Sequence, residues 1–195
     1  MLPPVVSIPD LPPQYCQVEY WRITASRKRI LQANLLALGL LPLWWLIAVG
    51  LMIALGYSKD SLIITIPRVL LASVITVLLH EGVHALAVRA FGGKPQFGVL
   101  WKALAFYTTV KGMAFKRWVF LVFLLAPLVV LSILFPLMAV FLRGEFWLSV
   151  AFLAFMINGA SSAGDVFITA VLLRYPPTAY VADEIDGVRI FLPIG

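Results

Sequence analysis

Residues 69–91 read Val-Leu-Leu-Ala-Ser-Val-Ile-Thr-Val-Leu-Leu-His-Glu-Gly-Val-His-Ala-Leu-Ala-Val-Arg-Ala-Phe, an apolar segment with His80-Glu81-Gly82-Val83-His84 at its middle. A run of about 20 such residues is what a helix needs to cross a bilayer. The chain has two histidines, and both are here. On a helix, residues four apart share a face, so both imidazoles can reach one ion while Glu81 flanks it. An ionisable group at membrane depth costs about 2.5–3.5 kcal/mol on insertion scales, so three in one turn need a purpose. Neutral imidazole suits Zn²⁺, and a neighbouring carboxylate can take a proton from water. The plainer alternative is a polar turn that only hydrogen-bonds to neighbouring helices.

The rest of the chain is of the same kind. Of its 195 residues, 62% are hydrophobic and 12% charged, about half the charge of a soluble domain. Mean hydropathy is +0.99. Apolar runs at 30–55, 67–91, 118–142 and 146–173 predict four membrane-spanning helices, with Pro42 kinking the first and Pro127 and Pro136 inside the third. The expected fold is an all-α membrane protein. It is a four-helix transmembrane bundle with a small cytoplasmic-side β-hairpin between helices 2 and 3. One integral membrane domain, 1–195, is expected, with its core at 30–173 and tails at 1–29 and 174–195. The hairpin comes from residues 94–116, rich in β-formers and turning near Trp101-Lys102. Residues 15–24 read as a short strand. Residues 180–185 and 188–192 flank Asp186-Gly187, a hairpin signal.

Net charge is +6, and the basic residues sit beside the spans. Arg27, Lys28 and Arg29 precede the first; Arg89, Lys94, Lys111, Lys116 and Arg117 lie between the second and third; Arg174 follows the fourth. The other side holds Lys59, Arg68 and Arg143. The positive-inside rule then places both termini in the cytoplasm of a prokaryotic cell membrane. The bilayer is the expected partner of this charge, and no nucleic-acid module accompanies it. Cys16 is the sole cysteine, which excludes an internal disulfide and a thiolate zinc site. Prolines 3, 4, 9, 12 and 13 argue against a cleaved signal peptide.

A catalytic zinc site usually takes three protein ligands. With no further histidine, the third is expected to be a carboxylate. Asp10, Glu19, Asp60, Glu145, Asp183, Glu184 and Asp186 fall in expected tails or loops, which leaves Asp165 in the fourth span. His84 lies seven residues before Phe91 and Asp165 nine before Arg174. Both are therefore about 10–14 Å below the same helix ends at 1.5 Å per residue. The small residues 159–164 are expected to let span 4 approach span 2 closely. Asn158, two turns from Asp165, is a candidate oxyanion donor or an interhelical bond. Ser161 and Ser162 raise a serine nucleophile, but such a site needs a histidine base, and both histidines have metal spacing. A buried acid that only pairs helices is the alternative for Asp165.

The stretch from His80 to Gly92, with Ala85 after the second histidine, resembles the metal-binding helix of site-2-protease-type intramembrane metalloproteases. Gly164-Asp165 resembles their aspartate motif. Size and layout are similar to a family of small bacterial and archaeal membrane proteins described as putative zincin peptidases. The resemblance covers roughly residues 67–175. The chain departs from it in having Val166 after the aspartate and Gly82 beside Glu81. These features predict an HExxH-type zinc metallopeptidase acting on membrane-embedded or membrane-proximal peptide. His80, His84 and Asp165 are its metal ligands and Glu81 its general base. The edge of the 94–110 strands offers a place for an unwound substrate strand. A non-catalytic scaffold with a structural metal and a transporter are the rivals; a transporter would carry a second polar set nearer the outer face.

Overall fold

The computed structural model describes residues 3–58, 61–100, 105–142 and 144–194. Its long helices are α1 (Arg27–Ala54), α2 (Ile66–Ala90), α3 (Arg117–Phe141) and the pair α4 (Glu145–Ser161) and α5 (Ala163–Leu172). Taken with α4 and α5 as one, four are long and apolar enough to cross a membrane. Their flanks expose Leu38, Leu70, Leu78, Ile133 and Phe141, as helices apolar on all sides do when lipid surrounds them. The chain divides into two compact units. One comprises Met1–Gln32, Glu81–Ala126 and Asp165–Gly195, the other Ala33–His80 and Pro127–Gly164.

The second unit is helical, and α4 is its core. Leu148 to Met156, Asn158 and Gly159 are buried, whereas α1 buries only Ala48 and Met52. Ser149 ties α4 to the α1–α2 connection, its hydroxyl donating to the Ser61 carbonyl and accepting the Ile63 N–H. The Trp44 ring packs edge-on against Phe155 and over Gly159, where a Cβ would lie 2.1 Å from the indole. Gly159 thus admits a side chain of α1, while α2 also lies against α4, its Thr76 hydroxyl donating to the Ala154 carbonyl at 3.3 Å. A bulky partner ring, rather than a second small residue, fills the notch.

The first unit holds a five-stranded antiparallel sheet in the order β1-β5-β6-β7-β2. Its strands are β1 (Val5–Ser7), β2 (Tyr15–Arg22), β5 (Met113–Lys116), β6 (Tyr180–Glu184) and β7 (Gly187–Pro193). Four of the five come from the segments expected to be tails. Val181, Val188 and Ile190 pack with Trp21, Phe115 and Phe120 in one buried cluster. The expected hairpin in 94–116 is present as a separate two-stranded sheet, β3 (Gln96–Leu100) with β4 (Ala105–Thr109). Its Trp101-Lys102 turn lies outside the described residues. The C-terminal hairpin turns at Ile185-Asp186, one residue earlier than the Asp-Gly signal implies, because Gly187 already pairs with Glu184 and Arg22. Glycine is required there for close approach: a Cβ would lie 2.0 Å from the Trp21 carbonyl.

Helix ends follow local chemistry. Gly92 takes φ +81° after α2, and Gly93 N–H returns to the Val88 carbonyl at 2.9 Å, a glycine-capped stop. The fourth span, expected to be continuous, is interrupted at Ser162 (φ −68°, ψ 1°), so Asp165 falls in the first turn of α5.

Candidate metal centre

Helix α2 carries a buried stripe at four-residue spacing: Ala72, Thr76, His80, His84 and Val88. Leu70, Val74, Leu78 and Leu86 make an exposed stripe. Gly82 belongs to that second stripe, with open space where a Cβ would stand. The expected common face of the two histidines is thus a buried face of one unbroken helix.

In the helical unit, His80 Nδ1 lies 3.1 Å from Asn158 Oδ1. Asn158 Nδ2 donates to the Pro127 carbonyl at 3.3 Å, which fixes the amide's orientation. Oδ1 therefore accepts, Nδ1 carries the proton, and Nε2 is the ring's lone-pair nitrogen. Of the two readings open for Asn158, this is the interhelical bond: the side chain is buried and aims its oxygen at His80. The Ser161 and Ser162 hydroxyls both donate to the Asn158 carbonyl, at 3.1 and 2.8 Å, a packing role rather than a nucleophile's.

In the sheet unit, His84 Nδ1 lies 3.0 Å from the Phe123 carbonyl. A carbonyl only accepts, so His84 too presents Nε2 as its lone-pair nitrogen. The acceptor exists because of Pro127. Proline has no N–H, so the carbonyl four residues earlier in α3 lacks its helical donor. His84 Nε2 stands 3.6 Å from Asp165 Oδ2. Two zinc ligands at about 2.0–2.1 Å and a tetrahedral angle apart stand about 3.4 Å from each other, so this pair has the separation of neighbouring ligands. His80 precedes His84 by one turn of α2. Among the described residues, His80, His84 and Asp165 make the group able to hold one metal ion.

Glu81 flanks this group. Its Oε2 is buried and has no hydrogen-bond partner among the described residues. Such an atom costs about 1–3 kcal/mol, more if charged, unless something polar meets it in use. The Glu81 carbonyl accepts a hydrogen bond from Thr108 Oγ1 in β4 at 3.1 Å. Just beyond, the Val110 N–H donates to Asp183 Oδ2 at 3.3 Å. Burial pushes the Asp183 carboxyl up to about 7, against the downward pull of hydrogen bonds from Thr109 and Val110.

Sequence reasoning missed the Phe123 carbonyl, Thr108 and Asp183. Pro127 did signal a bare carbonyl four residues back, but nothing in the sequence named its partner.

A family model described as "Putative zincin peptidase" matches residues 73–180, more than half of the chain. The chain belongs to that family. The matched region contains His80, Glu81, His84, Asn158 and Asp165. Zincins are zinc peptidases, and the donor set, two imidazoles and a carboxylate, suits that ion. An "uncharacterized 24.7 kDa protein in gap 5'region" of Pyrococcus woesei is 28% identical over 136 residues. That match takes in 68% of this chain and 56% of the relative, so the chain spans little more than half the relative's length. No solved structure matches the chain.

Proposed function

We propose that this chain is an intramembrane zinc metallopeptidase of the site-2-protease kind, cleaving membrane-embedded or membrane-proximal segments of other proteins. The observation that carries this reading is the setting of the two imidazoles. Each gives its Nδ1 proton to a fixed oxygen, Asn158 Oδ1 or the Phe123 carbonyl, and keeps Nε2 as donor atom. A helix that needed only polar contacts between spans would have no use for two identically oriented rings one turn apart. Second-sphere acceptors of this kind are what metal-binding histidines require.

His80, His84 and Asp165 are the residues that hold the ion. When bound, zinc supplies Lewis acidity, polarising the scissile carbonyl and bringing water's pKa toward about 7. Glu81 does the proton work. Its carboxylate takes the proton shed by the attacking water and delivers it to the amide nitrogen as the C–N bond breaks. The unpartnered Oε2 is the atom suited to this. Asn158 and Phe123 keep the ligand rings oriented through the cycle.

A substrate helix must be unwound before its peptide bond can be attacked, and its released backbone groups then need partners. The β3–β4 pair has an unpaired edge on each strand among the described residues, and an extended substrate adding there satisfies them. The basic residues around α1, α2 and α3 support an orientation with the sheet-bearing ends of the helices at the cytoplasmic surface of a prokaryotic cell membrane.

Metal analysis of the purified protein tests the ligand set: one zinc per chain in the wild type, and loss in His84→Ala. Glu81→Gln is expected to keep zinc and stop cleavage of a membrane-tethered reporter. Zinc held with no cleavage by the wild type would favour the non-catalytic scaffold instead.

A further inference from the structure

The β3–β4 pair is separate from the five-stranded sheet: no backbone ladder joins them among the described residues. Yet β4 reaches the centre of the proposed chemistry, through Thr108 Oγ1 on the Glu81 carbonyl at 3.1 Å. Something must hold a two-stranded hairpin steady enough for that contact to be reproducible, since such pairs are marginal alone. The β5–β6 register ends at Ala114 opposite Ala182. Asp183, the next residue of β6, has no ladder partner on that side. Its carboxylate takes instead the N–H of Val110, the first residue after β4, and the hydroxyl of Thr109. Thr108, Thr109 and Val110 are all buried.

We propose that Asp183 is a positioning residue for Glu81: it pins the end of β4 to the five-stranded sheet, so that Thr108 braces the catalytic turn of α2 at the Glu81 carbonyl. The inference rests on the peptidase reading for its consequence, not for its geometry. A carboxyl suits the post because its oxygens can accept from both donors at once. Burial opposes keeping a charge there, so a group retained at that cost points to a function beyond packing. The sheet itself does not use it, for the β6–β7 pairing of Asp183 with Val188 is made by backbone. The order of action is Asp183, then the end of β4, then Thr108, then Glu81, and all four belong to one compact unit.

The test uses the full chain in lipid nanodiscs, with Asp183→Ala, Asp183→Asn, Thr108→Val and the Ala/Val double variant. Amide exchange over 105–110 is expected to rise roughly 10- to 100-fold in Asp183→Ala, the equivalent of leaving one buried donor without its acceptor. It is expected to stay near wild type in Asp183→Asn, which keeps an acceptor for Val110 and guards against a folding artefact. Zinc content should not change. Reporter cleavage should fall in Asp183→Ala and in Thr108→Val, with the double variant no worse than Asp183→Ala, because both act through one contact. Unchanged exchange over 105–110 in Asp183→Ala would overturn the proposal, and so would losses that multiply in the double variant. If the wild type cleaves nothing, the peptidase reading fails by itself, and the exchange arm still decides whether Asp183 pins the strand.

Discussion

Replacing Asn158 probes the proposed metal centre without touching a proposed ligand. Leucine has nearly the same shape and no polar atom. In Asn158→Leu the His80 Nδ1–H loses its acceptor and the Pro127 carbonyl loses its side-chain donor, the contacts now made at 3.1 and 3.3 Å. An orphaned buried donor costs about 1–3 kcal/mol. His80 can recover some of that by turning its ring or moving its proton to Nε2, and either change takes Nε2 away from the ion. Loss of such outer contacts typically weakens metal binding 10- to 100-fold, about 1.4–2.8 kcal/mol. Asn158→Asp should behave oppositely. It keeps an oxygen for Nδ1–H, makes it charged, and raises the ring's basicity, so zinc affinity should equal or exceed the wild type. Competition against a chelator of known affinity, on purified protein in detergent, measures both. Wild-type affinity in Asn158→Leu would refute the assignment of His80's tautomer. So would an Asn158→Asp variant that binds zinc as weakly as the leucine variant, since it would show that the Pro127 contact, not the acceptor, matters.

Three further outcomes are expected. Asp165→Asn should lower zinc affinity while leaving thermal stability within about 1 kcal/mol, because the amide keeps the shape near His84 but is a poorer ligand; elemental analysis after dialysis checks it. Gly159→Leu should destabilise by roughly 1–3 kcal/mol, read as a lowered Tm, because even a Cβ there meets the Trp44 ring at 2.1 Å. At Asp186, burial raises the carboxyl pKa, but hydrogen bonds from Arg22 and Thr24 outweigh it and hold the group below its ordinary 3.8. A depressed acid contributes stability above its unfolded pKa and loses it as pH falls through the folded one. Asp186→Asn should therefore cost up to about 1 kcal/mol at pH 7 and progressively less as the pH falls below 3.8, measured by denaturation across that range.

What the sequence disclosed was what periodicity and scarcity can disclose. Long apolar runs announced four helices. Two histidines at helical spacing announced a shared face. Elimination among nine acids picked out Asp165, which the structure places 3.6 Å from His84. The sheet was harder to foresee. Its strands lie far apart in the chain, with β1 pairing to β5 and β2 to β7, and a strand as short as Val5–Ser7 has no periodicity of its own. The Asp-Gly dipeptide misdirects the turn by one residue because Gly187 is there for the Trp21 backbone rather than for the loop. Asn158 makes the interhelical bond that its spacing allowed, but its partners, His80 and the Pro127 carbonyl, could not be named because spacing gives a face, not a partner.

The support of the site also explains where the helices are irregular. A polar side chain among apolar spans finds no water to complete its hydrogen bonds, so the protein must supply each partner. A regular helix has few to give, since its carbonyls are already engaged. Pro127 leaves the Phe123 carbonyl without a helical donor, and His84 takes it. The Pro127 carbonyl itself accepts from Asn158, which holds His80. At Ser162 the fourth span is interrupted, and Asp165 follows in the first turn of α5, the end of a helix that favours a negative charge. Proline in α3 and the interruption in the fourth span are thus not tolerated defects beside the ligands. Pro127 is the source of the acceptor that orients the His84 ring. Pro127→Ala restores the missing N–H, sets it in competition with His84 for one carbonyl, and should weaken zinc binding several-fold, read by competition with a chelator.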